Sequence, residues 1–283
     1  MRITPIAGAL GADIEDVTLG GDMDDTVFSA VRDAVVRYGV VAVRGQSMSP
    51  AEIAGFARRF GDIHYHPHVG GMPDQPEVME ILKTEKDTTN FGAGWHTDQQ
   101  FLASPANFTM LYGVEIPEVG GDTLFACMRG AYKTLSAGMQ AVACGQRSLN
   151  LSVAAQMARR SQSAQTIFAS MAAKDAPADE ELAVHPVVRR RPETGEPALY
   201  IGIHTLGLVD FADDEAKTLI DFWLAHMTRP ENTCRLRWRP GTLAIWDNRS
   251  VIHNALNDYQ GKRRRMHRVT IVGDATEAYA EAA

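Results

Sequence analysis

The chain has 283 residues, 45% of them hydrophobic and 22% charged, with a formal net charge of −7. A chain this long can bury roughly 75% of its unfolded surface, so a core needs no disulfide or structural metal. The acidic balance argues against nucleic acid as a partner, because a phosphate-binding face usually makes a domain basic.

Residues 23–38 read as a helix, with Val27, Phe28, Val31, Ala34 and Val35 at helical spacing. VVAVRG (40–45) is a short, strand-like apolar run. In SPAE (49–52) Ser49 can cap, Pro50 suits the first helical position and Glu52 completes a capping box. That helix should run to about Phe60 and stop at Gly61. VMEIL (78–82) and NFTMLYGV (107–114) read as strands, and LSAGMQAVACG (135–145) as a helix capped by Ser136 and stopped by Gly145. Residues 150–183 are rich in Ala, Ser and Gln and poor in large apolar residues, the composition of an insertion or mobile cover. ALYIGI (198–203) is a strand, and 213–228 a helix with Asp213 as its cap and Pro230 as its stop. RLRWR (235–239), TLAIWD (242–247) and HRVTIVG (267–273) are strands. Strands flank 150–183 on both sides and no linker divides the chain. The expectation is one domain over 1–283, mainly β with flanking helices.

Cys127, Cys144 and Cys234 are odd in number, widely spaced and outside any CxxC. They read as reduced thiols, hence a cytoplasmic protein. The N-terminus carries acidic residues and no long apolar run, unlike a signal peptide. No stretch approaches the roughly 18 apolar residues of a membrane span.

WHTDQQF (95–101) carries the chemistry. On a strand, residues i and i+2 share a face, so His96 and Asp98 project together. An imidazole beside a carboxylate is two thirds of a 2-His-1-carboxylate triad, which holds non-haem Fe(II) and leaves positions open. An HxD pair alone is more often a plain hydrogen bond. His253, in AIWDNRSVIHNA, is the candidate third ligand. Arg264 follows eleven residues later in KRRRMHRVTI, and its fork fits the distal carboxylate of a metal-chelating 2-oxo acid. Lys262 and Arg263 read as a solvated turn. His64, His66 and His68 also alternate, in HYHPH, and three imidazoles can bind zinc. Pro67 breaks their ladder and argues against a separate site. Trp95 fits a pocket wall and the core equally well, and Trp246 fits the core.

Together these segments resemble the taurine/alpha-ketoglutarate dioxygenases, the Fe(II)- and 2-oxoglutarate-dependent family that includes aryloxyalkanoate dioxygenases. The resemblance runs from ITPIAGALGADIEDV through FARRFGDIHYHPH, WHTDQQFLASPANFTML and VGGDTLFACMRGAYKTLS. It resumes at HPVVRRRPETGEPALYIG and ends with RWRPGTLAIWDNRSVIHNALNDYQGKRRRMHRVTI. The weakest match is 150–183. The resemblance implies a double-stranded β-helix, or jelly roll, that uses Fe(II), 2-oxoglutarate and O₂. It implies His96, Asp98 and His253 as iron ligands, and Thr123 beside Arg264 on the co-substrate carboxylate. His66 and Arg268 would meet the acid group of a small anionic organic substrate, giving a hydroxylated product, succinate and CO₂. A carboxylate at position 98 favours hydroxylation over halogenation, since a halide needs that coordination position. The resemblance also points to a homo-oligomer, a dimer or tetramer.

Departures bear on the substrate. Val69 stands where taurine-acting relatives have tyrosine, Gly92 where they have asparagine, and Thr205 where they have an aromatic residue at the amine end. Sulfonates, sulfate esters, aryloxy acids and amino-acid derivatives all offer an anion to Arg268. Two other classes compete: a non-catalytic metal-binding jelly-roll protein, and a zinc hydrolase. A pure binder has no need of Arg264 and Thr123 beside a full triad, and a hydrolase needs neither oxygen nor a 2-oxo acid.

Overall fold

A computed structural model describes residues 1–171, 173–177 and 179–280. Residues 172 and 178 of the expected insertion, and 281–283 of the expected domain, lie outside the described residues. Among the described residues, a major sheet has seven strands in the order Arg2–Pro5, Ala12–Glu15, Val40–Val43, Leu243–Asp247, Phe108–Glu115, Arg264–Thr270 and Met79–Lys83. Ala12–Glu15 runs parallel to Val40–Val43, and the other pairs are antiparallel. A minor sheet orders Thr233–Leu236, Thr123–Cys127 and Val251–Ala255.

Period-two alternation sorts the major sheet's side chains into two cores. Val41, Val43, Met110, Leu243, Ile245 and Val269 pack against the helices Asp25–Tyr38 and Pro50–Ala57 through Val31, Val35, Ile53 and Phe56. Val40, Ala42, Leu111, Ala244, Trp246 and Met266 point the other way and meet Phe125, Cys127, Leu236 and Val251 of the minor sheet. The chain is therefore sheet-rich with flanking helices, and its chemistry sits between two facing sheets.

The expected helices form at their caps. Ser49 and Glu52 make a complete capping box, and Ser136 caps Ala137–Ala143. The helix Asp213–Met227 differs: its first residue is Asp213, and Glu215 instead accepts from the Ala212 N–H at 3.0 Å. Its Trp223 is fully buried against Leu199, Tyr200 and the helix Met128–Thr134. The expected strand 198–203 stops at Leu199. Gly202 packs on the Trp95 carbonyl, and Ile203 N–H donates to that carbonyl at 2.9 Å rather than to a sheet neighbour.

A third sheet orders Thr205–Leu208, Arg147–Asn150 and Ala183–Pro186. Asn150 pairs with Ala183, so residues 151–182 leave and return between two paired strands. This excursion carries the helices Val153–Arg159 and Ala164–Ile167 and a small core of Leu151, Ala155 and Ala176.

Phe125 is fully buried, 5.6 Å from the Trp246 ring and stacked 5.7 Å from His253. Phe125→Ala should lower unfolding free energy by about 3–5 kcal/mol, the range for a large core truncation. Urea denaturation checks this; a loss under 1 kcal/mol, by the same scale, would mean the two sheets do not depend on this contact.

Candidate active site

His96 and His253 face each other across an isolated antiparallel bridge, each backbone N–H donating to the other's carbonyl at 2.9 and 2.8 Å. Asp98 is not on a strand. It lies in the turn that follows, where Gln99 takes a left-handed φ of 57°. His96 and Asp98 do converge, but through this turn rather than the strand alternation expected from the sequence. Ligand atoms of His96, Asp98 and His253 lie within 4.8 Å of one another, all buried. Both imidazole Nε2 atoms sit 3.7–3.8 Å from Asp98 Oδ1, too far for hydrogen bonds and suited to a shared ion.

The surroundings fix each donor. The Gly94 carbonyl lies 2.8 Å from His96 Nδ1 and can only accept, so the ring proton is on Nδ1 and Nε2 is free to ligate. Gly94 has φ +87°, and a Cβ there would come within 2.9 Å of Ile203. Asp98 Oδ2 accepts from the Thr109 hydroxyl at 2.6 Å. Asn248 Oδ1 accepts from the Asp98 N–H and from Trp246 Nε1, and Asn248 Nδ2 donates to Thr109. Asn248 is itself placed by a buried ion cluster in which Asp247 accepts from Arg191 and Arg249.

Burial would raise the Asp98 carboxyl, but the Arg268 guanidinium, with the Thr109 hydrogen bond, outweighs it and holds the group well below the usual carboxylate range. Burial pushes both His96 and His253 down, so they stay neutral. Two neutral nitrogens and one carboxylate oxygen converging without mutual hydrogen bonds suit a divalent transition metal with an open face.

Arg268 stands 2.7 Å from Asp98 Oδ1. His66 Nδ1 accepts from the His68 N–H at 3.1 Å, which leaves its proton on Nε2 as a donor. Burial, then Arg268 and His68, lower its pKa to about 3. His66, Asp98 and Arg268 meet at a cavity of about 360 Å³. Val69, Phe91, Phe101, Met157, Phe168 and Ile203 form much of its wall, with Met157 and Phe168 coming from the excursion. Asp98 is the sole acidic side chain lining it among the described residues. Thr205, expected at the pocket's amine end, is not among the lining residues; its hydroxyl donates to Asn150, and Ile203 and His204 line the cavity instead. His64 binds Gln99, and His68 lies 3.1 Å from Glu180. Among the described residues the HYHPH histidines do not form a metal cluster.

Arg264 is buried on a neighbouring part of the same strand as Arg268. Its guanidinium carbon lies 5.6 Å from the Trp238 ring and 6.0 Å from the Tyr259 ring. Trp238 Nε1 donates to Thr123 Oγ at 3.0 Å, so Trp238 links the two expected co-substrate contacts. Gly121, at φ +72°, leaves room here, since a Cβ would come within 3.2 Å of Arg264 Cδ. Arg264 Nε and Nη2 are buried without an acceptor, and Tyr259 is the side chain that hydrogen-bonds its guanidinium. Thr109, Asn248, Trp238 and Tyr259 escaped the sequence reading. Their roles are contacts between distant segments and leave no local signature.

The sequence matches the taurine catabolism dioxygenase TauD, TfdA family over residues 2–270, and the chain belongs to this family. It is 32% identical to pentalenolactone F synthase of Streptomyces arenae, over 97% of this chain and 96% of that protein. It is 30% identical to the alpha-ketoglutarate-dependent sulfate ester dioxygenase of Pseudomonas putida, over 97% of this chain and 90% of that one. The crystal structure of a taurine dioxygenase from Burkholderia xenovorans superposes with a TM-score of 0.82 at 29% identity, covering 98% of this chain and 92% of the other. The chain is a 2-oxoglutarate-dependent non-haem iron dioxygenase, and His96, Asp98 and His253 are a group that could hold its metal.

The buried histidines predict a pH response. His66 and His204 both have folded values near 3, while an unfolded histidine titrates near 6.5. Below that value the unfolded chain takes up protons that the folded chain refuses, so stability of the metal-free protein falls with pH. Between pH 7.5 and 5.5 the loss should be on the order of 1 kcal/mol for each such histidine. Equal denaturation midpoints at the two pH values would rule out these neutral buried imidazoles.

Proposed function

We propose that this chain hydroxylates a small organic acid with one anionic group and an apolar body, an alkyl or aryl sulfate ester, sulfonate or aryloxy acid, in preference to taurine. The observation that carries this reading is the cavity: Arg268 and His66 offer donors to one anion at its metal end, and among the described residues no acid but Asp98 lines it to receive an ammonium. Burying an unpaired ammonium there would cost several kcal/mol, so a zwitterion is disfavoured. The sulfate ester dioxygenase among the relatives supports an acid of this class.

The roles follow from the same geometry. His96, Asp98 and His253 hold the iron. Arg264 and Thr123 seat the distal carboxylate of 2-oxoglutarate, and Arg268 with the Nε2 proton of His66 seats the acid group of the substrate. With iron, 2-oxoglutarate and O₂ bound, the chemistry supplied is oxidative decarboxylation of the co-substrate to succinate and CO₂, coupled to hydroxylation of a substrate carbon. Thr109 and Asn248 keep Asp98 oriented, and the apolar wall excludes water from the reacting carbon. A carbon that bears a sulfate or ether oxygen would then release that group from the hydroxylated product.

The two facing sheets close as a double-stranded β-helix, and residues 1–283 act as one domain. The excursion 151–182 moves to admit substrate, supported by its small separate core and its share of the cavity wall. Three free cysteines fit a reducing cytoplasm, and no helix among the described residues is long and apolar enough to cross a membrane. Exposed Leu182, Val184 and Leu206 on or beside the third sheet are the apolar surface on which a homo-oligomer, a dimer or tetramer, would pair.

Oxygen uptake with Fe(II) tests the substrate class, using alkyl sulfates, aryloxyalkanoic acids, sulfonates and taurine, each with and without 2-oxoglutarate. An apolar acid should stimulate uptake only with the co-substrate present, at a higher kcat/KM than taurine. Taurine equalling or exceeding every apolar acid would overturn the preference. Asp98→Ala should abolish stimulated uptake and iron retention together; a variant that kept full activity would remove Asp98 from the metal site.

A further inference from the structure

Lys83 ends the strand Met79–Lys83, directly across from Arg264 in the antiparallel register. Directly opposed residues share a face with their Cβ atoms about 4.5–5.5 Å apart. A lysine at a strand end would ordinarily reach solvent, yet Lys83 is only 3% exposed. Its ammonium lies 4.6 Å from the centroid of the Tyr259 ring, the same ring that borders Arg264. Lys83 Nζ, like Arg264 Nε and Nη2, is buried without a hydrogen-bond acceptor.

The nearby acids, Asp87 acting on Lys83 and Asp122 on Arg264 only from beyond ion-pair range, make their short contacts elsewhere. Asp87 accepts from Thr84 and from Ser170, each at 2.6 Å. Asp122 pairs with Arg235 at 2.6 Å. Two buried cations therefore share one side of the sheet beside one aromatic ring, and neither has a carboxylate of the chain in ion-pair range among the described residues. Buried charges are ordinarily paired. The missing anion must bring at least two acceptor oxygens, one for a guanidinium and one for an ammonium.

We propose that Lys83 is a second cationic anchor for the distal carboxylate of 2-oxoglutarate, dividing its two oxygens with Arg264 while Thr123 donates from the minor sheet. The inference rests on the assignment of Arg264 and Thr123 to that carboxylate and adds a residue that neither the HxD pattern nor the KRRR run points to. Its consequence is selectivity: a 2-oxo acid lacking the distal carboxylate leaves two buried cations unpaired instead of one.

Anaerobic calorimetry on the Fe(II)-loaded protein tests it, with 2-oxoglutarate and with pyruvate, which has the 2-oxo acid but no distal carboxylate. Lys83→Met should weaken 2-oxoglutarate by about ten- to a hundredfold, the span of one charge-assisted hydrogen bond, and leave pyruvate unchanged. Lys83→Arg should recover most of the loss. The melting midpoint of ligand-free Lys83→Met should be no lower than that of the parent, because an unpaired buried cation has been removed, while the upward shift given by 2-oxoglutarate should shrink. Lys83→Gln serves the same titration if the methionine variant does not fold. Unchanged 2-oxoglutarate affinity in Lys83→Met, with Arg264→Met strongly weakened, rejects Lys83 and keeps the Arg264 anchor. Unchanged affinity in both variants removes the anchor itself, and Lys83 with it. Equal weakening toward 2-oxoglutarate and pyruvate places the effect at the metal or scaffold and overturns the proposal.

Discussion

A carboxylate taken out of water must be compensated on every side, and Asp98 sets that requirement for the whole molecule. Its 2% side-chain exposure leaves no solvent to help. Compensation comes from three other places in the chain: Thr109 on a central major-sheet strand, Asn248 in the turn after its neighbour, and Arg268 two strands from that turn. Each would be far from Asp98 in an extended chain. The major-sheet strands must therefore pair in register before the charge is tolerable, and the minor sheet must face them before His253 can join the site. Apolar packing between the sheets, through Phe125, Trp246 and Val251, supplies the driving force for that meeting.

The interior is divided by charge. At the metal, two imidazoles are held neutral by burial beside one anion, which pairs with Arg268. At Arg264 and Lys83 the balance is reversed: Lys83 Nζ and Arg264 Nε and Nη2 have no acceptor, and the guanidinium's hydrogen-bond partner is the neutral Tyr259. The cavity between metal and excursion is apolar with donors at one end. A 2-oxo acid with a distal carboxylate would bring acceptor oxygens to Arg264 and Lys83, and a monoanion with an apolar tail suits the cavity. Complementarity of this kind ranks ligands by what each leaves unpaired, which discriminates more sharply than contact area.

The alternation of 242–247 was legible because Leu243 and Ile245 meet the helices while Ala244 and Trp246 meet the minor sheet. Capping at Ser49 and Ser136 was legible for the same reason: the signal is local. The minor-sheet strands Thr123–Cys127 and Val251–Ala255 went unread although Phe125, Cys127, Val251 and Ile252 are core residues, since Thr123 and His253 stood out as chemistry and neither run alternates cleanly between apolar and polar. His96, Asp98 and His253 were legible as chemistry, but the local conformation was misjudged. Asp98 reaches the ion from a turn whose left-handed Gln99 is an unusual conformation for a residue with a side chain. Lys83 was illegible because its partner lies on a strand about 180 residues away, and only the antiparallel register brings the two together.

That register also fixes a length. Arg264, Met266 and Arg268 alternate toward the space between the sheets, with Met266 fully buried among the inter-sheet residues. The pairing with Phe108–Glu115 shifts between Arg265 and Met266, skipping Val114, so the irregularity is absorbed by the partner and not by the arginine strand. Four residues of regular strand separate the two guanidinium-bearing positions by about 13 Å. Arg268 marks the metal end through its contact with Asp98, and Arg264 marks the far end beside Tyr259 and Trp238. A one-residue slip would turn both arginines to the helix side and bring Val269 inward, so the hydrophobic pattern that sets the sheet register also sets the distance between the two guanidinium groups.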